Sequence, residues 1–335
     1  MPDIMPLAPP VLRVEDLTVR FSRRNIDVAA VNGVSFALAR GETLTILGES
    51  GSGKSVSLKA LMGLLPDYAK IEGRVWLDGR SVLDMPTAEL AKLRGSAISM
   101  IFQEPMAALD PVYTIGEQIA ETIVQHEGVG HATAMQRALD LLDHVKIPSA
   151  ARRLKSYPHE MSGGMRQRAM IALALACSPS VLLADEPTTA LDVTVQIQIL
   201  LLLRQLQQEL GMAIVFVTHD VGAAAEISDR IAVMYAGRFV ETATAREIMR
   251  TPRHPYTQGL LASTVHGGLR GRVLETIQGA PPNLAHLPPG CAFAPRCRYA
   301  TELCTHGEVP VTMSPTGAMV RCVRAVPVPA QEVSA

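Results

Sequence analysis

Residues Gly48, Glu49, Ser50, Gly51, Ser52, Gly53, Lys54 and Ser55 form the pattern G-x-x-x-x-G-K-S, which builds a loop that closes backbone N–H groups around phosphate oxygens. The positive end of the following helix dipole adds to the attraction. In such a loop Lys54 reaches the β- and γ-phosphates of a nucleoside triphosphate, and the Ser55 hydroxyl ligates Mg²⁺. A second constellation lies downstream, where the apolar run Ser180–Ala184 ends in Asp185 and Glu186. Alone, this is no more than a polar strand end. Behind a phosphate loop it reads as the other half of the site, with Asp185 holding Mg²⁺ through water and Glu186 polarising the attacking water. Gln103 and His219 each follow an apolar run, Ala97–Phe102 and Ala213–Val217, so both stand where a strand feeds a loop.

The elements that must position these groups are legible from periodicity. Glu42–Leu47 is a short β-branched and apolar run that predicts a buried strand, and Val56–Leu65 carries apolar residues at helical spacing. The phosphate loop therefore sits between strand and helix. Val11–Phe21 alternates as a strand with Val34–Leu38 as its hairpin partner, and Glu72–Leu77 is a further strand closed by Asp78-Gly79. Phe21 ends its strand as either a stacking platform for a nucleotide base or a core aromatic. Thr87–Arg94 reads as a helix. From Thr114 to Ala176 the pattern is helical throughout, over Ile115–His126, Ala132–Val145 and Gly164–Ala176, which marks an inserted all-helical unit. Ser162 is placed to cap the last of these helices, leaving the Gly163 and Gly164 amides open to an anion. Thr194–Leu210 is a helix stopped by Gly211, and Arg230–Tyr235 with Arg238–Thr242 is a hairpin around Ala236-Gly237.

Composition narrows the class. The chain has 335 residues, 48% apolar and 4% aromatic, with a formal charge of −1, enough for a large aliphatic core in two or three folding units. Near-neutrality argues against a nucleic-acid partner, which selects for basic patches. The Met1–Pro10 lead lacks the basic-then-apolar order of a secretory signal. The apolar uncharged stretch Ala169–Ala184 is short for a membrane span and is broken by Ser178-Pro179-Ser180. Membrane contact is therefore expected through a partner.

Beyond the proline-rich loop Gly279–Pro289, Cys291, Cys297, Cys304 and Cys322 are spaced C-x5-C-x6-C-x17-C. Four thiolates suit tetrahedral Zn²⁺ and an iron–sulfur cluster equally well, and four free thiols are the third reading. Cys177 lies in an apolar passage and reads as a core residue.

With these pieces in order the chain resembles an ATP-binding cassette (ABC) ATPase, over roughly residues 11–245. Ser162-Gly163-Gly164-Met165-Arg166-Gln167-Arg168 is similar to that family's signature motif, Gln103 to its Q-loop, Thr189-Ala190-Leu191-Asp192 to its D-loop and His219 to its switch histidine. Met161 and Met165 depart from the commonest signature, which has Leu and Gln there. Phe102-Gln103-Glu104-Pro105-Met106, Tyr157–Ser162 and His254-Pro255-Tyr256-Thr257 are similar to the oligopeptide/dipeptide importer branch, which also includes nickel importers.

The resemblance implies an α/β fold: a P-loop ABC core of mixed β structure with an antiparallel β subdomain (residues 1–104 and 179–250), an α-helical subdomain (105–178), and a loop-rich cysteine-bearing extension (251–335). It implies ATP bound by Phe21, Gly48–Ser55 and Val56, and Mg²⁺ held by Ser55, Gln103 and Asp185. Glu186, His219 and Gln103 would serve catalysis, and Asp192 would carry information across a dimer. Two cassettes would pack head to tail, with Ser162, Gly163, Gly164 and Met165 of one closing on ATP held by the other. Gly290–Cys297 resembles the extension of peptide-importer subunits, some carrying a 4Fe–4S cluster, which tilts the cysteine reading from Zn²⁺ to iron–sulfur. The partners implied are two transmembrane permease subunits, a second ABC ATPase that is a paralogue or a copy of this chain, and indirectly an extracytoplasmic solute-binding protein. The place implied is the cytoplasmic face of the inner membrane, and the activity is ATP hydrolysis driving import of di- or oligopeptides. The alternatives are the same role for nickel or another small solute, and a soluble ABC ATPase acting on nucleic acid.

Overall fold

Strand alternation near the N-terminus produces the smaller of two sheets. β1 (Leu12–Arg23) pairs antiparallel with β2 (Ile26–Leu38), in a register running from Leu12 opposite Leu38 to Arg23 opposite Ile26. On its other side β1 pairs with β4 (Ala69–Leu77), whose far edge carries the two-residue β5 (Arg80–Ser81). Leu12, Val14, Leu17 and Val19 are all buried by this arrangement. The computed structural model describes residues 9–23, 26–189, 191–263 and 276–325. Ala190 of the D-loop motif, most of the N-terminal lead and parts of the 251–335 extension lie outside the described residues.

The larger sheet has a parallel half made of β3 (Thr43–Leu47), β6 (Ile98–Ile101), β7 (Val181–Asp185), β8 (Ala213–Thr218) and β9 (Arg230–Tyr235). Its antiparallel half is β10 (Arg238–Thr244), β11 (Val311–Met313) and β12 (Met319–Arg321). The strand order is β11-β12-β10-β9-β3-β8-β7-β6. β3, β6, β7 and β8 are buried at every position, as parallel strands covered on both faces must be. One face meets the smaller sheet through α1 (Lys54–Leu61), in a core that includes Leu44, Ile46, Leu58, Val75 and Val215. Two other helices flank these sheets, the short α2 (Thr87–Leu93) and the long α8 (Val193–Leu210).

The inserted helical unit runs through α3 (Pro105–Ala108), α4 (Ile115–Glu127), α5 (His131–His144), α6 (Ala150–Arg153) and α7 (Gly163–Ala174). A capping box between Thr114 and Glu117 starts α4, and Gly128 in the left-handed region ends it. Ile119, Ile123, Ala138, Leu142 and Ala169 share a core that continues into Leu182 and Phe216 of the sheet, so the unit is packed onto the sheet rather than tethered beside it.

The C-terminal part is loop-rich, with one helix and one short hairpin set into it. After α9 (Val221–Ile227) and α10 (Ala245–Arg250), α11 (Pro255–Ala262) leads into the extension, and the β11–β12 hairpin of that extension pairs with β10. Each strand is only three residues long, too short for an alternating pattern to be read from sequence. Glu241 of β10, 2% exposed, accepts hydrogen bonds from the Arg253 and His254 backbone N–H groups at 2.8 and 3.0 Å and so fixes where α11 begins.

His254 caps α11 by accepting the Tyr256 N–H at Nδ1, 3.1 Å away, which requires a neutral ring. Burial lowers its pKa from 6.5 to about 4. The unfolded chain binds that proton more readily, so stability present at pH 7 is lost as pH falls from about 6.5 to about 4. His254→Asn keeps a short acceptor at the cap and cannot titrate. Chemical denaturation at pH 7 and pH 4.5 is expected to show an acid loss about 2–3 kcal/mol larger for the native chain than for His254→Asn; equal losses would remove His254 as the source.

Candidate functional site

The parallel register delivers the candidate groups to one edge of the sheet. Leu47, the last residue of β3, lies opposite Thr218, and Asp185, the last of β7, lies opposite Val217. The loops that follow these strands therefore leave side by side. The Gly48 N–H donates to Thr218 O at 3.4 Å, and the Glu186 N–H to Val217 O at 3.0 Å. Open parallel sheets bind ligands at this edge, beyond the carboxyl ends of the strands.

The phosphate loop folds as its glycines dictate. A Cβ at Gly48 would lie 2.3 Å from the Met234 carbonyl oxygen. Gly53 takes φ +108, and a Cβ there would lie 2.3 Å from the Ala30 carbonyl oxygen. Gly53 precedes α1 with no side-chain cap, so the first-turn amides of α1 remain available to an anion. Lys54 is 4% exposed and donates to the carbonyl oxygens of Gly48 and Glu49 at 2.8 and 2.9 Å. Burial pulls its pKa below the ordinary lysine value, while Glu186 and Asp185 hold it up.

Glu186 is the hub of the charged groups. Its Oε1 lies 3.7 Å from Lys54 Nζ. Its Oε2 accepts from Thr189 Oγ1 at 3.0 Å and from Gln103 Nε2 at 3.3 Å, and lies 3.1 Å from His219 Nδ1. Its backbone takes φ +46, an unfavourable angle for a glutamate. One residue earlier, Asp185 Oδ1 accepts from the Ser55 hydroxyl at 2.6 Å. Burial pushes the Asp185 carboxyl up, and the Ser55 hydrogen bond opposes that shift. Ser55, Asp185 and the amide oxygen of Gln103 are hard oxygen donors of the kind Mg²⁺ takes, so the donor set fits that ion.

A cleft of about 740 Å³ has Ser50, Lys54, Ser55, Gln103, Glu186 and His219 in its lining, with Asp185 behind Ser55 and not itself in the wall. That volume suits a nucleotide-sized ligand. Not every sequence-predicted residue lies there. Ser162 caps α7 by accepting the Met165 N–H at 3.3 Å, and Ser162 and Gly163 are exposed. None of Ser162, Gly163, Gly164 or Met165 lines the cleft of its own chain. Asp192 caps α8 through the Val195 N–H at 3.0 Å and is likewise outside the cleft. Phe21 also falls outside it; its ring packs 6.0 Å from that of Tyr68 at the margin of the sheet core.

Sequence reasoning missed several contributors. Thr189 was read only within the D-loop motif, yet its hydroxyl anchors Glu186. Leu260, Ile277 and Leu284 form an apolar wall of the cleft from the C-terminal side. Tyr256 accepts the Glu49 N–H at 3.0 Å, and Arg296 pairs with the Glu49 carboxylate. No local pattern signals a contact across so long a stretch of chain.

The expected metal clip is not supported in the same way. Cys291, Cys297, Cys304 and Cys322 all line one small void and all are free thiols. Burial pushes the Cys291 and Cys297 thiols up, away from the thiolate form that binds metal. Among the described residues no group of three or more His, Cys, Asp or Glu side chains is drawn together closely enough to hold a metal ion. The four thiols fit a 4Fe–4S cluster or Zn²⁺ by type, but not by this spacing.

Known proteins give the arrangement its context. Residues 31–189 match the model of the ABC transporter family, and residues 240–304 match the oligopeptide/dipeptide transporter C-terminal region. The chain is similar to the oligopeptide transport ATP-binding protein OppD of Salmonella typhimurium, with 49% identity over 316 residues that cover 94% of each chain. It is 47% identical over 296 residues, 88% of each chain, to the dipeptide transport ATP-binding protein DppD of Bacillus subtilis. Among solved structures, a dimeric ATP-binding cassette, MJ0796, bound to ADP and Pi superposes with a TM-score of 0.63 at 31% identity, covering 70% of this chain and 99% of that one. The cbiO1 protein of Clostridium perfringens, part of the cbiONQ ABC transporter complex, gives 0.62 at 27% identity, covering 73% and 92%.

Lys54 is the one cation among the cleft-lining groups that spans both the loop carbonyls and Glu186. Lys54→Ala is therefore expected to weaken ATP binding roughly 10- to 100-fold, the worth of lost hydrogen bonds to a charged group. Fluorescence titration with a labelled ATP measures this, and unchanged affinity would undo the phosphate-loop assignment.

Proposed function

The chain belongs to the ABC transporter ATP-binding family and carries its oligopeptide/dipeptide C-terminal region, and we propose that it hydrolyses ATP to energise import of di- or oligopeptides. The observation that carries this reading is near-half identity to an oligopeptide transport subunit along almost the whole of both chains. The peptide wording of the relatives' names favours that cargo over nickel. On this reading the chain divides into an ATP-binding core (1–104 and 179–250), a helical subdomain (105–178) and a C-terminal extension (251–335).

ATP would lie with its phosphates on the amides of Gly51 to Ser55, and Lys54 would turn from the loop carbonyls to the β- and γ-phosphates. Ser55 and Asp185, with Gln103, would hold Mg²⁺, which neutralises charge that builds on the phosphates during transfer. Glu186 would orient and polarise the attacking water, and His219, sharing an oxygen of Glu186, would hold the γ-phosphate side of that water. Such a carboxylate needs fixing in place, and Thr189 and Gln103 supply it.

One chain gives half of the machine. The signature residues Ser162 to Met165 are not in the wall of their own cleft, and on this reading a second cassette, a paralogue or another copy, would bring its signature to this ATP. ATP then stabilises the closed pair and hydrolysis releases it. Gln103 leads directly into α3, and Met106, Val112 and Tyr113 nearby are exposed apolar side chains. This surface is proposed as the seat of two permease subunits, served outside by a solute-binding protein. No helix among the described residues is long and apolar enough to cross a membrane, so the permeases would provide the path and this chain would lie on their cytoplasmic side. No nucleic-acid partner is part of this reading.

Glu186→Gln is expected to keep ATP affinity, slow hydrolysis by at least about 100-fold and accumulate an ATP-bound dimer. Phosphate release and gel filtration measure both, and normal turnover would remove Glu186 from its role. For the tail, the four thiols line one small void but are not drawn together into a metal site among the described residues, so a 4Fe–4S cluster on Cys291, Cys297, Cys304 and Cys322 is proposed as a group that would have to draw them together on binding. Anaerobically purified protein should then contain about four irons and matching acid-labile sulfide; stoichiometric zinc, or no metal, would overturn the cluster.

A further inference from the structure

The phosphate loop contains an acidic residue, Glu49, at its second position, and that residue lines the nucleotide cleft. A carboxylate there faces the wrong way electrostatically for a loop that must receive a polyphosphate. The structure answers this with a residue from the far end of the chain. Arg296 forms a two-pronged pair with Glu49, Nη1 to Oε2 at 2.7 Å and Nη2 to Oε1 at 3.0 Å. The Arg296 side chain is 5% exposed. Its Nε donates to Gln278 O at 3.0 Å, and its guanidinium lies 5.9 Å from the ring centroid of Tyr235 and 6.0 Å from that of Phe293. This is a guanidinium seated in a built pocket, not a surface ion pair.

The same region of chain also holds the Glu49 backbone. Tyr256, fully buried, accepts the Glu49 N–H at 3.0 Å, while the Glu49 carbonyl oxygen accepts from Lys54 Nζ at 2.9 Å. From these contacts we propose that Arg296 is a positioning residue for ATP binding: it neutralises Glu49 and turns that carboxylate away from the phosphates, so the folded C-terminal extension sets the affinity of the phosphate loop. The inference rests on the ATP-binding reading of the cleft. It gives the extension a role in the nucleotide site that is separate from any ligand on its cysteines. A guanidinium is suited to this because its planar fork meets both carboxylate oxygens at once.

The test uses the full chain, labelled ATP and steady-state hydrolysis. Arg296→Gln leaves the Glu49 charge unpaired beside the phosphates. ATP affinity and KM should weaken about tenfold, inside the range of roughly 5- to 150-fold typical of coupling between sites. The value of kcat should change less than about twofold, since Glu186 and His219 are untouched. The double variant Arg296→Gln/Glu49→Gln should recover most of the lost affinity, because the repelling charge is gone. A merely structural loss would not be rescued by deleting the second partner. Higher salt should shrink the deficit of the single variant. Arg296→Lys, which keeps the charge and loses the fork, should fall between the two and serves if Arg296→Gln does not fold. Native-like affinity in Arg296→Gln or Arg296→Lys, or a double variant as weak as the single one, would overturn the proposal. Failure of Lys54→Ala to weaken binding would instead strike the ATP reading itself, so the two failures are distinguishable.

Discussion

Everything in this protein depends on the hydrogen-bonded register of the parallel strands β3, β8 and β7. A backbone ladder has no side-chain specificity of its own, yet here it fixes which residues leave the sheet together. Leu47 beside Thr218 and Asp185 beside Val217 place the phosphate loop, the acidic pair and His219 at one edge. A slip of one residue in any of the three strands would send every side chain to the opposite face of the sheet and move a functional loop by about 3.3 Å. Every position of β3, β7 and β8 is buried, so a slip would repack both faces of the sheet. Packing along the strands thus protects the chemistry at their ends.

At that edge the charges are arranged so that none is left alone. Lys54, Asp185 and Glu186 are each largely removed from water, and an isolated charge in such a place is costly. Lys54 meets two carbonyl oxygens and Glu186, Asp185 meets Ser55, and Glu186 meets Thr189, Gln103 and His219. These contacts have a second use. Each partner of Glu186 comes from a different segment, so a ligand that shifts one of them disturbs the rest. Gln103 connects the hub to the helical unit and Thr189 to the loop before α8. The signature residues stay outside the cleft of their own chain.

The C-terminal extension is bound into this arrangement in two places. The β11–β12 hairpin lengthens the sheet beyond β10, and the Phe293, Tyr256 and Tyr235 rings pack against one another with centroids 4.5–5.3 Å apart. From that aromatic cluster Arg296 and Tyr256 reach Glu49. The extension is therefore continuous with the phosphate loop, not an appendage on a surface linker. Its four thiols line one small void that also touches Ala294 of the turn carrying Arg296.

How much of this was legible from the chain follows from the range of each interaction. The G-x-x-x-x-G-K-S loop, the acids ending an apolar run and the Ser162 cap of α7 are local, because a glycine's free φ or a cap's hydrogen bond is settled within a few residues. The order of these motifs along the chain also sufficed for the family resemblance, since each motif is contiguous. The β11 and β12 strands were not legible: three residues hold no period, and only the free edge of β10 makes them strands. Nor could sequence place Thr189 against Glu186, set Phe21 beside Tyr68 outside the cleft, or show how far the tail thiols are drawn together. The pairing of Arg296 with Glu49 spans 247 positions, and nothing near either residue announces the other. The sequence by itself determined which chemistry the chain carries, because that chemistry is written in short stretches of backbone and side chain. The tertiary structure alone decided which distant segment neutralises the phosphate loop, because opposite charges choose partners by proximity in space.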